Sequence, residues 1–183
     1  MFQSHRRKRY DPVAQLLHWV VALGVILQFI WAWRIDEADS RAVEYALVVQ
    51  HKSIGMLVLM LAVLRILWRL FHRPPPLPSG TPAWQRAVSS MVHWALYVLI
   101  IAQPLSGWIW SSAAGYGAEL FGWVEVPDLV AENEALADLM HDVHETMAWL
   151  LLGLASLHVV AALWHQFVRR DGLLWRMLPW GGR

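Results

Sequence analysis

Two histidines, His144 and His158, lie fourteen residues apart within an apolar stretch of the chain. At about 3.6 residues per turn, fourteen residues make just under four turns of helix, so both imidazoles leave the same helix face. At ~1.5 Å per residue, the rings are ~21 Å apart along the axis, most of a bilayer's hydrocarbon thickness of ~30 Å. Imidazole is a common metal ligand, but a single ion cannot reach both rings. The spacing therefore suits two stacked haems, one near each side of a membrane.

Three further histidines in apolar stretches, His18, His51 and His93, sort into the same two depths. Only His51 shares the depth of His144, so we predict that these two ligate one haem iron. His18 and His93 both share the depth of His158, one histidine more than a six-coordinate iron needs. We predict that His18 is the partner of His158, and the assignment of His93 as that ligand stays open. Each histidine alone would more often be an interhelical hydrogen-bond partner, but their grouping into two levels favours haem.

Two cations accompany the histidines. Lys52 follows His51, and Arg65 lies fourteen residues after His51, on the same face but at the depth of the other haem. Haem propionates are anions that need partners in a dry site. We predict that Lys52 pairs with propionates of the haem at His51 and that Arg65 pairs with those of the other haem. The alternative is that both side chains extend toward the lipid headgroups.

A quinone site is predicted at the depth of His158, where spare polar groups gather. His165 follows His158 by seven residues and stays on its helix face. Together with His93 and Arg65, it would place proton-carrying groups near a quinone. The simpler reading is that His93 tunes the neighbouring haem and that His165 ends its helix.

The composition indicates that membrane helices hold these residues. The chain is 57% hydrophobic and 16% charged, with 13 Trp, whereas soluble domains carry about 25% charge. Trp is typical of the interfacial belts of membrane proteins. We predict an all-α fold, a transmembrane four-helix bundle forming one membrane domain over residues 1–183, with residues 128–142 as a short surface helix. The predicted spans are about 13–33, 45–70, 87–110 and 143–168.

The distribution of charge predicts the orientation of the bundle. Twelve of the 15 basic residues lie at the two termini or near the Pro-rich linker between the second and third spans. Twelve of the 14 acidic residues lie in the other two connections. Because basic loops stay in the cytoplasm, both termini are predicted to be cytoplasmic and the acidic connections periplasmic. The predicted location is the inner membrane of a bacterium.

The absence of cysteine limits the chemistry. It excludes disulfides, iron–sulfur ligation and covalent haem attachment through a C-x-x-C-H motif. Any haem must therefore be held by side-chain ligands and non-covalent contacts. We expect the lipid bilayer, a quinone and a periplasmic electron donor as partners, and no nucleic acid; the oligomeric state is left open.

Several short segments resemble the bacterial cytochrome b561 family. They are Leu17-His18-Trp19, His51-Lys-Ser-Ile-Gly55, Pro104-Leu-Ser-Gly107, His144-Glu145, Leu157-His158, Ala161-Ala-Leu-Trp-His165 and Leu173-Leu-Trp-Arg-Met-Leu-Pro179. These segments cover nearly the whole chain in order. The resemblance implies a four-helix inner-membrane bundle with two b-type haems, each held by two histidines, which exchanges electrons with the ubiquinone pool. Some members are similar to a superoxide oxidase, which passes electrons from superoxide to ubiquinone.

Three functions follow as hypotheses. The leading one is a diheme cytochrome that works alone as an oxidoreductase between a periplasmic donor and quinone. The second is a haem-bearing membrane anchor or electron-transfer subunit of a larger dehydrogenase or hydrogenase. The third, of another class, is a non-redox transporter or scaffold with histidines inside the membrane.

Overall fold

The computed structural model describes residues 9–78 and 80–180, and four long helices dominate it. Each helix is long and apolar enough to cross a membrane, which confirms the predicted transmembrane four-helix fold. Residues 1–8 and 181–183 lie outside the described residues. They include some of the basic residues from which the cytoplasmic position of both termini was predicted. The helices are α1 (Pro12–Asp36), α2 (Arg41–Phe71), α3 (Ala83–Ala113) and α4 (Glu134–Trp164).

All four helices begin before the predicted spans, and polar side chains cap three of them. The side chains of Asp11, Ser40 and Asn133 accept hydrogen bonds from backbone N–H groups in the first turns of α1, α2 and α4. Such caps satisfy donors that the helix leaves free. Burial of Asp11 opposes ionisation, but hydrogen bonds from the Ala14 N–H and the Trp68 indole lower the pKa of its carboxyl below the usual value. Hydropathy cannot detect these polar first turns.

The predicted surface helix over residues 128–142 is wrong. Helix α4 starts at Glu134 and runs without a break into the span, so its first turns are the extension of the membrane helix. At its other end α4 passes into a π-helical turn, His165–Arg169, which Arg170 ends with a φ of 53°. The Asn133 cap, rather than any apolar periodicity, sets where this helix begins.

The connection between α3 and α4 contains a β-hairpin that the sequence reasoning missed. Strands β1 (Ala118–Leu120) and β2 (Val124–Val126) pair antiparallel, with Leu120 opposite Val124. The turn between them places Phe121 at φ 53° and Gly122 at φ 73°. Strands of three residues are too short to show the alternation that would reveal them in a sequence.

Consecutive helices pack side by side. Helix α1 lies along α2, α2 along α3 and α3 along α4, whereas α1 and α4 share almost no close backbone contact among the described residues. Close approach of α1 and α2 requires glycine, since a Cβ on Gly24 would lie 2.5 Å from Val58 Cγ2. Gly153, by contrast, is exposed and has no atom within 4 Å of where its Cβ would be, so it contributes to no helix contact here.

The C-terminal segment folds back onto the start of α1. Gln15 Nε2 donates to Arg176 O at 3.1 Å, and Trp19 Nε1 donates to Met177 O at 2.9 Å. The backbone N–H of Tyr10 also donates to Arg176 O, at 3.2 Å. Both described ends of the chain therefore meet at one end of the bundle, as four crossings require. We call this the termini end, and the opposite end, which carries β1 and β2, the hairpin end.

Candidate functional site

Four of the predicted ligands form two close pairs with edge-to-face ring angles. The ring centres of His51 and His144 are 6.3 Å apart at the hairpin end, and those of His18 and His158 are 6.2 Å apart toward the termini end. An imidazole nitrogen lies about 2 Å from a metal it ligates and about 1.1 Å from its own ring centre, so two imidazoles on opposite sides of one iron have centres about 6.2 Å apart. Both pairs therefore have the ring separation that a six-coordinate haem iron requires.

His93 also contacts the second pair. Its ring centre lies 5.3 Å from that of His158, with an edge-to-face angle of 68°. This separation is almost 1 Å shorter than the separation between His18 and His158. Ring geometry therefore favours His18 as the residue opposite His158 and leaves His93 beside the pair.

The ring of His144 is fixed by α3. Its Nδ1 lies 3.0 Å from both Gln103 O and Ser106 Oγ, so a proton on Nδ1 has two acceptors and Nε2 remains free to bind metal. This arrangement, in which the second ring nitrogen bonds a carbonyl, is the usual one for metal-binding histidines. The ring packs where a side chain on Gly107 would stand, since a Cβ there would lie 2.9 Å from His144 Cε1. Helix α3 thus selects both the tautomer and the position of the ring.

The surroundings of the His51 ring differ from those of the His144 ring. Its Nδ1 is buried and has no hydrogen-bond partner among residues 9–78 and 80–180. Gln28 on α1 donates from Nε2 to the His51 carbonyl at 3.1 Å. The same glutamine fills the space beside Gly55, because a Cβ on Gly55 would lie 2.7 Å from Gln28 Nε2.

Lys52 lies on α2 and contacts the residues just before the hairpin. Its ammonium donates to Gly117 O at 2.9 Å and lies 5.8 Å from the centre of the Tyr116 ring. The neighbouring Ser53 is fully buried, and its hydroxyl accepts from the Phe121 N–H at 2.8 Å. The predicted propionate partner therefore holds a loop carbonyl in this structure, directly beside His51. Ser53 was not singled out from the sequence.

Arg65 lies at the depth of the His18–His158 pair, as the helix spacing requires. Its guanidinium donates to Ala14 O, one turn before His18, at 2.9 Å. It also lies 5.9 Å from the centre of the Tyr97 ring on α3. The guanidinium therefore links α2 to both α1 and α3.

His165 is held by an acid that sequence reasoning missed. Its Nδ1 lies 2.5 Å from Asp171 Oδ2, and both side chains are about four-fifths buried. The other oxygen of Asp171 accepts from the Leu173 N–H at 3.2 Å. No hydrogen bond or ring contact joins His165 to His93 or Arg65 in the part of the chain described. A groove of about 380 Å³ opens next to this π-helical turn, lined by Gln166, Phe167, Arg170, Gly172 and Trp175.

Comparison with known proteins identifies the family. The sequence model of the family described as "Prokaryotic cytochrome b561" matches residues 9–180. The chain belongs to the prokaryotic cytochrome b561 family. It is accordingly a multi-pass membrane protein with b-type haem that functions in electron transfer. This confirms the resemblance seen in the sequence, and the hypothesis of a non-redox transporter or scaffold has no support.

Three curated relatives of this cytochrome b561 protein match along almost their whole length. Cytochrome b561 homolog 2 of Escherichia coli (strain K12) is 36% identical, over 93% of this chain and 92% of the relative. Cytochrome b561 homolog 1 of the same organism is 27% identical, over 93% of this chain and 97% of the relative. A protein of Yersinia pestis named probable superoxide oxidase CybB is 30% identical, over 94% of this chain and 97% of the relative.

Proposed function

We propose that this cytochrome is a diheme oxidoreductase that carries electrons across the bacterial inner membrane, from a periplasmic donor to ubiquinone. The observation that supports this most directly is the presence of two close histidine pairs with ring centres 6.2 and 6.3 Å apart. His18 and His158 ligate one haem b, and His51 and His144 ligate the other. The whole chain acts as one membrane domain, with both termini in the cytoplasm.

The residues determine what kind of redox reaction is available. When bound, each haem supplies a one-electron couple. With two histidines holding each haem, the iron would have no position left for substrate, and the chemistry that the haem would supply is electron transfer alone. Because His144 and His158 are ~21 Å apart along α4, the helix holds two relay points at different depths of the bilayer. Arg65, which donates to Ala14 O one turn before His18, would neutralise the propionates of the haem held by His18 and His158.

The chemical class of the periplasmic donor depends on the relatives and on the charge at the hairpin end. The Yersinia pestis relative, named a probable superoxide oxidase, supports superoxide as the donor. The charge at the hairpin end opposes it, since twelve acids lie in the connections assigned to the periplasm. A negative field slows the approach of an anion. Stopped-flow mixing with superoxide, and separately with a cationic one-electron donor, would identify which class reduces the protein faster.

We expect two non-covalent b haems per chain, both low-spin. The imidazole planes of the two pairs cross at 80° and 73°. If the rings keep these angles with haem bound, the two imidazoles on each iron would be nearly perpendicular, and both haems should then give strongly anisotropic low-spin EPR signals. The measurements are haem quantification against protein and EPR of the oxidised form. One haem per chain in fully loaded protein would contradict the proposal.

His165 is proposed to serve quinone reduction at the termini end, with His93 and Arg65 on the approach to the same site. Asp171 orients the imidazole, which can then pass a proton to a quinone oxygen. His165→Ala should slow reduction of a soluble ubiquinone analogue at least about tenfold, as expected for loss of a proton donor, while both haem spectra stay unchanged. The matched control is His141→Ala, since His141 also pairs with an aspartate, Asp142 at 3.5 Å, but is exposed at the hairpin end. Loss of a haem in His165→Ala would instead make His165 a ligand.

A further inference from the structure

Two glutamines on different helices make the same contact with the His51–His144 pair. Gln28 on α1 donates from Nε2 to the backbone carbonyl of His51 on α2, at 3.1 Å. Gln103 on α3 donates from Nε2 to the backbone carbonyl of His144 on α4, at 3.0 Å. Each glutamine thus joins one helix to the next in the chain, and each meets the next helix at the residue that carries the predicted ligand.

These bonds add to the ordinary helix hydrogen bonds. A backbone carbonyl has two lone pairs, so it can accept one bond from the helix and a second from a side chain. The second bond fixes the height of the histidine backbone relative to the neighbouring helix. It does so for both members of one pair, from two different neighbours.

General stability does not explain the choice of glutamine. The Oε1 atoms of Gln28 and Gln103 are both buried with no hydrogen-bond partner in the ranges the structure describes. A buried acceptor without a donor is destabilising, and an apolar side chain of the same size would avoid that cost. The benefit of each carboxamide therefore lies in its N–H bond to a histidine carbonyl.

The other pair has no such arrangement. No side chain among the described residues donates to the backbone carbonyl of His18 or His158. The His51–His144 pair joins α2 and α4, which are not close neighbours in the bundle. The packing of these two helices on each other therefore cannot set the distance between the rings, whereas fixed positions relative to α1 and α3 can.

We propose that Gln28 and Gln103 are a matched set of positioning residues that fix the separation of the His51 and His144 rings. The inference rests on the proposed function, in which these two histidines ligate one haem. The glutamines do not touch the iron. They hold the two backbones so that both rings reach it without rearrangement, and removing either bond lets one ligand drift.

The test compares Gln28→Met and Gln103→Met with Gln50→Met. Methionine keeps an unbranched chain of similar length but has no N–H donor. Gln50 is the control because it is exposed and accepts a bond from Trp31 Nε1 at 3.0 Å, and its side chain makes no hydrogen bond to a histidine of the described residues. Haem release to excess apomyoglobin and EPR of the oxidised protein are the measurements. Loss of one net hydrogen bond should speed release of the haem at His51–His144 about fivefold in each variant, and about 25-fold in the double variant if the two act independently.

The haem at His18–His158 of the same molecule is the internal control for a general change in the fold. In the glutamine variants it should be released at the wild-type rate, and its EPR signal should not move. If both haems were released faster by the same factor, the substitutions would have loosened the whole bundle, and the inference would be overturned. It would also be overturned if the haem at His51–His144 were released no faster than in Gln50→Met. If His51→Ala loses no haem from the wild-type background, the proposed ligation itself fails, and that result is distinguishable from failure of the glutamine role alone.

Discussion

Replacing His144 with alanine should remove one haem of two and leave the other with its normal spectrum. The iron would lose a ligand whose orientation α3 fixes through Gln103 O and Ser106 Oγ, and the carbonyl and hydroxyl that remain are not groups that hold haem iron. His51→Ala should give the same result, because the two ring centres lie 6.3 Å apart. The measurements are haem content per chain and the reduced-minus-oxidised spectrum.

The matched control for this experiment is His141→Ala. His141 lies one turn before His144 on α4 but is exposed, and it should keep both haems. Different outcomes for His51→Ala and His144→Ala, with only one of them losing a haem, would show that these residues do not form a ligand pair.

Replacing His18 or His158 should remove the other haem with the same selectivity. His93→Ala should retain both haems and change only the potential or the spectrum of the haem beside it. The reason is geometric: His18 and His158 have the separation of two ligands on one iron, whereas the His93 ring is too close to His158. A residue next to a ligand tunes the iron without releasing it. Redox titration of His93→Ala, followed at the two haem bands, measures that change.

The opposite result for His18 and His93 would reassign the partner of His158. If His93→Ala loses the haem at His158 while His18→Ala retains it, then the partner of His158 comes from α3 rather than α1. Because His18 and His93 contribute rings to the same neighbourhood, the two single variants have to be compared in one preparation, with His158→Ala as the reference for complete loss.

The sequence alone determined how deep each histidine lies. Depth follows directly from position, because each helical residue rises ~1.5 Å and an apolar run fixes where the membrane begins. The two levels of histidines, the four spans and the family therefore followed from local patterns. The same argument placed Arg65 at the depth of His18, where its bond to Ala14 O is found.

The positions of the helix ends could be predicted less accurately from the sequence. Polar caps such as Asn133 extend the helices past the apolar runs, which is why α4 begins at Glu134 and residues 134–142 belong to it rather than to a separate surface helix. The hairpin was missed because its short strands depend on hydrogen bonds to residues far along the chain. The buried Ser53, which holds the Phe121 N–H, is one of these.

Only the tertiary structure decided which side chains meet at a given depth. That depends on how each helix is rotated and tilted against its neighbours, and no local pattern records it. The sequence predicted His18 as the partner of His158 but left His93 open, whereas the folded bundle sets their rings 6.2 and 5.3 Å from that of His158. Nor could it reveal that Gln28 and Gln103 reach the carbonyls of the other pair, or that Asp171 holds His165. Rise along a helix is a property of the chain, but the direction a side chain faces has meaning only once the other helices are in place.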